Sequence, residues 1–389
     1  RLDAQAAKYS GAKKFVDYRE LLDKVGKDLD AVVVSCADHT HAPAAVAAMR
    51  MGKHVYCQKP LTHSVWEARL MRQVAREAKV CTQMGNQGSA VDGLRRGVEI
   101  VQAGIIGDVK EVHIWTNRPF KYWKQAPDIV ARPEPMEVPK TVHWDLFLGS
   151  APERPYNRVY TPHDWRGWWD FGTGSLGDMA CHTANLTFRA LKLGLPTRVS
   201  AVNAEINPET YPAWATITYE FPARGDLPPV KVIWYEGAKD KDKKIRNLPD
   251  ASLFPPGTKL ADSGSLLVGS KGKMFSPNDY GARQVLLPED VFKDLKDPEK
   301  TIPRIEGGGS EDDKQKKEWV DAIRANKPSI AYSNFDFGSI ITEAMLLGNI
   351  AVRTGEAIDY NGEKGEITNS SNASQYLKPY FRKGWEIKA

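Results

Sequence analysis

One short segment of the sequence, residues 177–185, carries three side chains well suited to acid–base chemistry. Asp178, His182 and Asn185 stand at i, i+4 and i+7, so a helix would present all three from one face. A carboxylate in the first turn is favoured by the helix dipole and supports a charged imidazole nearby. Such a histidine can accept and hold a proton during catalysis. The same spacing suits a capping aspartate and a hydrogen-bonded core histidine, and it leaves both interpretations open.

Polar residues follow three predicted strands, at the edge where open α/β sheets bind ligands. Lys59 follows Gln58 after one strand, and its ammonium group could face a substrate hydroxyl group or stand in a solvent-exposed turn. The segment 38–41 follows the preceding strand, and Asn86 follows the third. The two histidines of segment 38–41 could suggest a metal, but no third ligand is placed nearby. We therefore predict no metal site.

The glycine pattern of phosphate-binding loops, G-x-G-x-x-G, is matched at residues 172–177. It follows an aromatic segment rather than a buried strand, so we interpret it as a turn that leads into a helix. The aromatic segment contains Trp165, Arg166, Trp168 and Trp169. Its ring faces could stack on a sugar or a nicotinamide, or they could pack in the core.

The elements that must position these residues fall into two patterns. Up to about residue 90, β-branched runs alternate with helical segments, which predicts a doubly wound parallel sheet of the α/β class. Beyond that point, longer strands alternate apolar and polar residues, which predicts a largely antiparallel sheet with one covered face. These later strands are predicted at Val109–Asn117, Arg198–Ile206, Ala215–Phe221, Val230–Tyr235 and Leu266–Gly269.

The remaining segments are predicted from composition and periodicity. A long apolar helix is expected at 334–353. Residues 119–165, rich in Pro and Trp, are expected to form an ordered excursion over the site. Residues 237–263 and 277–312 are expected to be surface loops, and the tail from 361 has little regular pattern.

Length and composition exclude several classes of protein. The chain has 389 residues, 41% hydrophobic and 26% charged, which is typical of a globular protein of two or three domains. Its net charge of +5 is too small to indicate binding to nucleic acid or a membrane surface. No run of 18 or more apolar residues is present, so no transmembrane helix is predicted. The four cysteines have neither redox nor metal-binding spacing, and we expect free thiols.

The order of these segments resembles the Gfo/Idh/MocA oxidoreductases, a family that includes glucose–fructose oxidoreductase and inositol dehydrogenase. The resembling segments are 30–36, 37–41, 52–61, 103–108, 177–182 and 343–355. The resemblance implies an NAD(P)-binding Rossmann domain at residues 1–90. It implies a substrate-binding and oligomerisation domain at residues 91–389, built on a large, open, mostly antiparallel sheet. The helix at 334–353 could pack back on the first domain.

The resemblance also assigns roles to individual residues. It implies that Lys59, Asp178 and His182 are catalytic and that His182 accepts the proton of a sugar hydroxyl group. Gln58 replaces the family's usual glutamate, which removes a charge near the cofactor. The expected cofactor-binding residues are Ser35, Ala37, Asp38, His41, Gln58, Lys59, Asn86, Trp165 and Arg166. The expected substrate-binding residues are Lys59, Arg118, Trp169, His182 and Asn185.

The resemblance implies hydride transfer between a nicotinamide cofactor, NAD rather than NADP, and a hydroxyl-bearing carbon of a sugar or polyol. Two alternatives stay open: a glycosidase that oxidises a sugar transiently with NAD, and a non-catalytic sugar-binding protein. The expected partners are a small carbohydrate and further copies of the chain, which would form a dimer or tetramer through the large sheet. Because the sequence starts at Arg1, we expect the glycine-rich loop and the first strands upstream. Cytoplasmic and exported periplasmic locations both stay open.

Overall fold

The protein, described here by a computed structural model over residues 2–240 and 242–387, contains two β-sheets. The strands are β1 Ala31–Val34, β2 His54–Gln58, β3 Thr82–Gly85, β4 Val109–Thr116, β5 Arg198–Asn203, β6 Trp214–Phe221, β7 Val230–Gly237, β8 Gly264–Gly269, β9 Lys273–Ser276, β10 Val285–Leu287, β11 Ile358–Asn361 and β12 Glu366–Ile367. The α-helices are α1 Leu2–Ala6, α2 Tyr18–Val25, α3 His41–Arg50, α4 Val65–Ala78, α5 Asp92–Gln102, α6 Trp144–Leu148, α7 Gly174–Thr183, α8 Asn185–Ala190, α9 Glu289–Phe292, α10 Glu311–Arg324, α11 Phe335–Thr354 and α12 Ser371–Ser374.

The smaller sheet is parallel and has the order β1-β2-β3. Its strands are four or five residues long, and α3 and α4 connect them in sequence and pack together. Helix α4 begins at a capping box. The Ser64 hydroxyl oxygen accepts a hydrogen bond from the Glu67 backbone N–H, and the Glu67 carboxylate accepts one from the Ser64 backbone N–H. This alternation confirms the predicted Rossmann-type sheet, and it brings the residues that follow β1, β2 and β3 to one edge.

The larger sheet has nine strands in the order β10-β9-β8-β4-β7-β6-β5-β11-β12. Only the β4–β7 pair is parallel among these described strands, so the predicted mostly antiparallel sheet is confirmed. Helices α7 and α11 contact it on one side. Helix α7 therefore lies between the large sheet and the edge of the small one.

Helix α11 is the one helix in the described residues that is long and apolar enough to cross a membrane, a feature that run length alone did not reveal. Yet 78% of its most apolar 18-residue window is buried. It packs on α4, α7 and the large sheet, and Arg69 of α4 forms a 2.6 Å ion pair with its buried Glu343. Helix α11 is therefore a core helix that packs against both sheets.

The segment 277–312 differs from the predicted surface loop. It contains β10 and α9, and it lies along α5, where Glu99 accepts hydrogen bonds from the Ile302 backbone and the Arg304 guanidinium. Close approach is possible because α5 presents glycine: a Cβ on Gly93 would lie 1.9 Å from the carbonyl oxygen of Ala282. The tail from residue 361 also forms more regular structure than expected, since it contains β12, which pairs with β11, and the short helix α12.

Replacing Gly93 with Ala should therefore destabilise the protein. In an ordinary helix this change stabilises by about 1 kcal/mol, but here the new methyl group must displace the backbone of residues 277–284. We expect a net loss of about 1–3 kcal/mol, the usual cost of overpacking, measured by urea denaturation. Gly194→Ala is the control, because nothing lies within 4 Å of its Cβ position. Equal stability of the two variants would contradict the close packing.

Candidate active site

The centre of the candidate site is an ion pair between the two sheets. Lys59 directly follows β2, and its Nζ donates to the Asp178 carboxylate oxygen Oδ1 at 2.6 Å and to the Asp178 backbone carbonyl at 2.7 Å. Asp178 lies in α7. An ammonium group has three donors, so one N–H of Lys59 is left for a ligand. The structure thus brings together two residues that are 119 positions apart and that sequence analysis had predicted to act together.

Two arginines share the Asp178 carboxylate with Lys59. Arg166 Nε is 3.5 Å from Oδ1, and Arg118 Nε is 3.9 Å from Oδ2. Burial raises the pKa of Asp178, but the charge and hydrogen bond of Lys59 and the charge of Arg166 outweigh it and lower the pKa to about 2. The carboxylate is therefore ionised at neutral pH and surrounded by a surplus of positive charge.

His182 lies one turn after Asp178 on α7 and is buried. Neither ring nitrogen has a hydrogen-bond partner in the described part of the chain, and Nδ1 is fully enclosed. Burial and the charge of Lys59 lower the pKa of His182 to about 3, although Asp178 acts in the opposite direction. Asp178 thus favours a charged imidazole, as expected, but burial and the charge of Lys59 outweigh its effect. His182 is neutral, with Nε2 as the nitrogen able to meet a ligand.

The start of α7 is held by Asp38, which follows β1. Its carboxylate accepts hydrogen bonds from the backbone N–H and the hydroxyl group of Thr173, at 3.1 and 2.7 Å. Burial raises the pKa of Asp38 to about 7, against the Thr173 hydrogen bonds and nearby positive charge. Asp38 thus joins the edge of the small sheet to the helix that carries Asp178 and His182.

The three glycines of the G-x-G-x-x-G match are explained by packing around this helix start. A Cβ on Gly172 would lie 2.5 Å from the Arg166 backbone, and one on Gly177 would lie 2.1 Å from the Thr173 hydroxyl oxygen. Gly174 has a φ of +63°, in the left-handed region that favours glycine. The structure places a turn and then α7 here, as the sequence context indicated.

The other residues expected at the cofactor site differ in accessibility. Ser35 is exposed and Gln58 is half-buried at the ends of β1 and β2. Asn86 is fully buried, and its amide donates to the Cys181 carbonyl. Ala37 packs in an aromatic cluster with Trp165. Among these residues, Ser35 and Gln58 are therefore the ones whose polar groups a ligand can reach at this edge.

The predicted substrate residues are not all brought together. Arg118 is close to Asp178 and stacks over Tyr122, with its Cζ 3.3 Å from the ring centroid. Asn185 begins α8, separated from the end of α7 by one residue, and its side chain is fully buried. The Asn185 amide instead donates to Ser89 Oγ and accepts from Arg189.

The aromatic segment divides between packing and a separate cavity. Trp168 is fully buried beside Tyr160, at 4.7 Å between centroids. Trp165 packs in the same cluster, with the Arg166 guanidinium over its ring at 4.2 Å. Trp169 lines a cavity whose walls include none of Lys59, Asp178 and His182.

The sequence analysis missed Tyr280. Its ring centroid is 5.0 Å from that of His182, and its Cβ would be 2.9 Å from a Cβ on Gly88. Tyr280 belongs to the segment predicted to be a surface loop. Glycines at 88, 93 and 97 were the available signal, because all three approach residues 280–284 closely.

The histidines of segment 38–41 contact backbone carbonyl oxygens. His39 contacts those of Phe171 and Phe147, and His41 contacts those of Pro60 and Cys36. Within residues 2–240 and 242–387, no three His, Cys, Asp or Glu side chains are placed to hold a metal ion. All four cysteines are free thiols; three are buried and Cys36 is exposed.

The sequence matches two models of one family. The model "Oxidoreductase family, NAD-binding Rossmann fold" matches residues 2–86, and "Oxidoreductase family, C-terminal alpha/beta domain" matches residues 90–255. Together they span well over half of the chain and define an oxidoreductase with a nicotinamide-binding fold. The chain belongs to the Gfo/Idh/MocA oxidoreductase family.

Individual relatives support the same assignment over shorter stretches. Inositol 2-dehydrogenase of Salmonella typhimurium is 32% identical over 114 residues, covering 28% of this chain and 33% of that protein. The 1,5-anhydro-D-fructose reductase of Ensifer adhaerens is 49% identical over 53 residues, covering 14% and 16%. The matches thus span a third or less of these relatives' lengths.

Solved structures share the fold over nearly the whole chain. A levoglucosan dehydrogenase in complex with NADH and levoglucosan has a TM-score of 0.59 at 14% identity, covering 93% of this chain and 87% of that one. An inositol dehydrogenase homologue of Azotobacter vinelandii, complexed with NADH and myo-inositol, has a TM-score of 0.55 at 14% identity, covering 89% and 83%. At such identities the likeness establishes the fold.

The pKa of His182 predicts a pH dependence of stability. An unfolded histidine takes up a proton below a pH of about 6.5, whereas folded His182 stays neutral down to a pH of about 3. Stability is therefore lost as the pH falls below that of the unfolded group. Between pH 7 and pH 5, a His182→Asn variant should lose about 2 kcal/mol less unfolding free energy than the parent. Urea denaturation at both pH values measures this, and equal losses would contradict a neutral, buried imidazole.

Proposed function

We propose that the protein is a nicotinamide-dependent oxidoreductase that transfers hydride between NAD and a hydroxyl-bearing carbon of a sugar or polyol. The observation that carries this proposal is the partly buried Lys59–Asp178 ion pair beside the unpartnered imidazole of His182. A solely structural ion pair would need neither a free ammonium N–H nor an adjacent buried ring nitrogen without a partner. The family match supplies the cofactor class.

The residues at the edge of the small sheet are chemically compatible with a nicotinamide cofactor. The Ser35 hydroxyl and Gln58 amide groups are accessible at the carboxyl ends of parallel strands, the edge at which dinucleotides bind. We assign Ser35 and Gln58 to hold this part of the cofactor, and Arg166 to balance its negative charge. When bound, the cofactor supplies the hydride acceptor.

The chain's own residues would bind the substrate hydroxyl oxygen and accept its proton. The remaining N–H of Lys59 donates to the hydroxyl oxygen, and neutral His182 accepts the hydroxyl proton at Nε2. As the hydroxyl proton moves to His182, the oxygen gains negative charge that Lys59 and Arg118 stabilise, and it becomes a carbonyl oxygen when hydride leaves the same carbon. The low pKa of His182 makes it a weak base in the free protein, so proton transfer depends on the departure of hydride, which makes the hydroxyl group more acidic.

The proposed substrates are polyhydroxylated rings. Hydroxyl groups can accept from Arg118 and from Lys59, and Tyr280 offers a ring and a hydroxyl group beside His182. Relatives whose names refer to inositol, levoglucosan and anhydrofructose act on compounds of this kind. Those three compounds are therefore the first substrates to test.

Replacing Lys59 with Met and His182 with Asn, separately, tests the proposal in the full-length protein. Each variant should lose at least about 100-fold in kcat, because each removes a group that acts on the reacting oxygen. NAD affinity, measured by fluorescence titration, should stay within about threefold of the parent, since neither change touches Ser35 or Gln58. Absorbance follows the formation of NADH from NAD with myo-inositol or levoglucosan, and the consumption of NADH with 1,5-anhydrofructose, which is a ketone.

The control is Lys110→Met, which removes an exposed lysine on β4 and should leave turnover unchanged. Parental turnover in either site variant would refute the assigned roles. Release of nitrophenol from a nitrophenyl glycoside, without net reduction of NAD, would show a redox glycosidase instead. Absence of NAD binding in the parent would favour a sugar-binding protein without catalysis.

A further inference from the structure

A second cavity, of about 330 Å³, lies away from the candidate active site. It is enclosed by the start of α4, the second half of α11 and the C-terminal residues 375–380. Its volume falls at the lower end of small-molecule sites, which span about 300–1,000 Å³, and this suits a monosaccharide. None of the functions assigned above uses it.

Arg353 gives this cavity a positive charge that has no acidic partner among the described residues. It lies in the last turn of α11, and its Cζ is 4.4 Å from the ring centroid of Tyr376 and 5.1 Å from that of Trp169. No carboxylate of the described chain forms an ion pair with it. Two aromatic rings thus position the guanidinium while its N–H groups stay available, and a planar guanidinium favours a carboxylate as its partner.

The other charged residues of the cavity leave this positive charge unbalanced. Lys378 lies over the ring of Trp66 at 4.6 Å, and it too has no acidic partner among the residues described. The acids are already engaged: Glu67 bonds Ser64 in the capping box, and Asp170 pairs with Arg154. A ligand with a negative charge would therefore be attracted to the cavity.

The remaining lining suits the body of a sugar. Tyr380 is 66% exposed and lies at the rim, and the Trp169 and Tyr211 rings are tilted by 37° with centroids 3.7 Å apart. The amide N–H groups of Asn349 and Gln375 are bonded within the chain, so these side chains offer their amide oxygens to hydroxyl groups at the wall. C–H-rich sugar faces pack against aromatic rings while their hydroxyl groups bond polar side chains.

We propose that this cavity is a second binding site, separate from the active site, for a monosaccharide that carries a carboxylate, such as a uronate. The carboxylate pairs with Arg353, and the sugar ring packs against Tyr376 and Tyr380. The site would give the protein a means to sense or retain an acidic sugar independently of turnover.

Calorimetric titration of the full-length protein with D-glucuronate, D-glucose and D-glucose 6-phosphate tests this. We expect saturable binding of glucuronate that is at least tenfold tighter than that of the other two. Arg353→Gln should weaken it at least tenfold, and Tyr380→Ala, at an exposed position, at least threefold. His182→Asn should leave it unchanged, which separates this site from the proposed active site.

The matched control is Arg324→Gln, which removes an arginine from the last turn of another helix, α10, and should leave binding unchanged. Thermal denaturation of each variant checks that folding is retained. Three results would overturn the proposal: no saturable glucuronate binding by the parent, equal binding by Arg353→Gln and the parent, or equal or tighter binding of glucose or glucose 6-phosphate.

Discussion

The ion pair between Lys59, at the edge of the small sheet, and the partly buried carboxylate of Asp178 on α7 is the contact on which the site depends. Removing one partner of a fully buried ion pair typically costs about 3–5 kcal/mol, and the partial exposure of this pair makes the cost smaller. The pairing therefore requires the end of β2 and the middle of α7 to stay within hydrogen-bond distance, 2.6 Å between Nζ and Oδ1. Asp38 supports the same junction through Thr173 at the start of α7. Two separate contacts between the edge of the small sheet and α7 thus position this helix.

The charge balance of that junction explains the state of His182. Three cations, Lys59, Arg118 and Arg166, surround one ionised carboxylate, and the imidazole is buried beside them. A further positive charge on His182 would be repelled and desolvated, so the ring stays neutral. The same surplus charge would stabilise a negatively charged oxygen. A low pKa of the base and stabilisation of an oxyanion are therefore two consequences of one arrangement.

Two later parts of the chain, α11 and the segment 277–304, pack against the helices around the site. Helix α11 connects the two sheets and ends in Arg353, which faces the second cavity rather than the active site. The segment 277–304 reaches the active site by lying along α5, and it delivers Tyr280 to His182. Both depend on small residues at the points of contact, since a side chain at Gly93 would meet backbone that cannot move alone.

The sequence by itself determined the elements and the identity of the central residues. Continuous β-branched runs specify buried parallel strands, alternation specifies the strands of the large sheet, and Lys59 stands next to a strand end, where ligands bind. These signals are local, because they depend on periodicity over a few residues. Helix spacing also placed Asp178 and His182 on one face of α7.

Only the tertiary structure decided which distant groups meet. In the folded chain the Asp178 carboxylate pairs with Lys59 rather than with His182, and Asn185 bonds Arg189. Trp169 lines a second cavity, and Tyr280 lies beside His182. None of these outcomes follows from periodicity, because each depends on competition among partners far apart in the chain. Hydrogen bonds and charges are satisfied by whichever group packing brings within about 3 Å, and packing is a property of the whole fold.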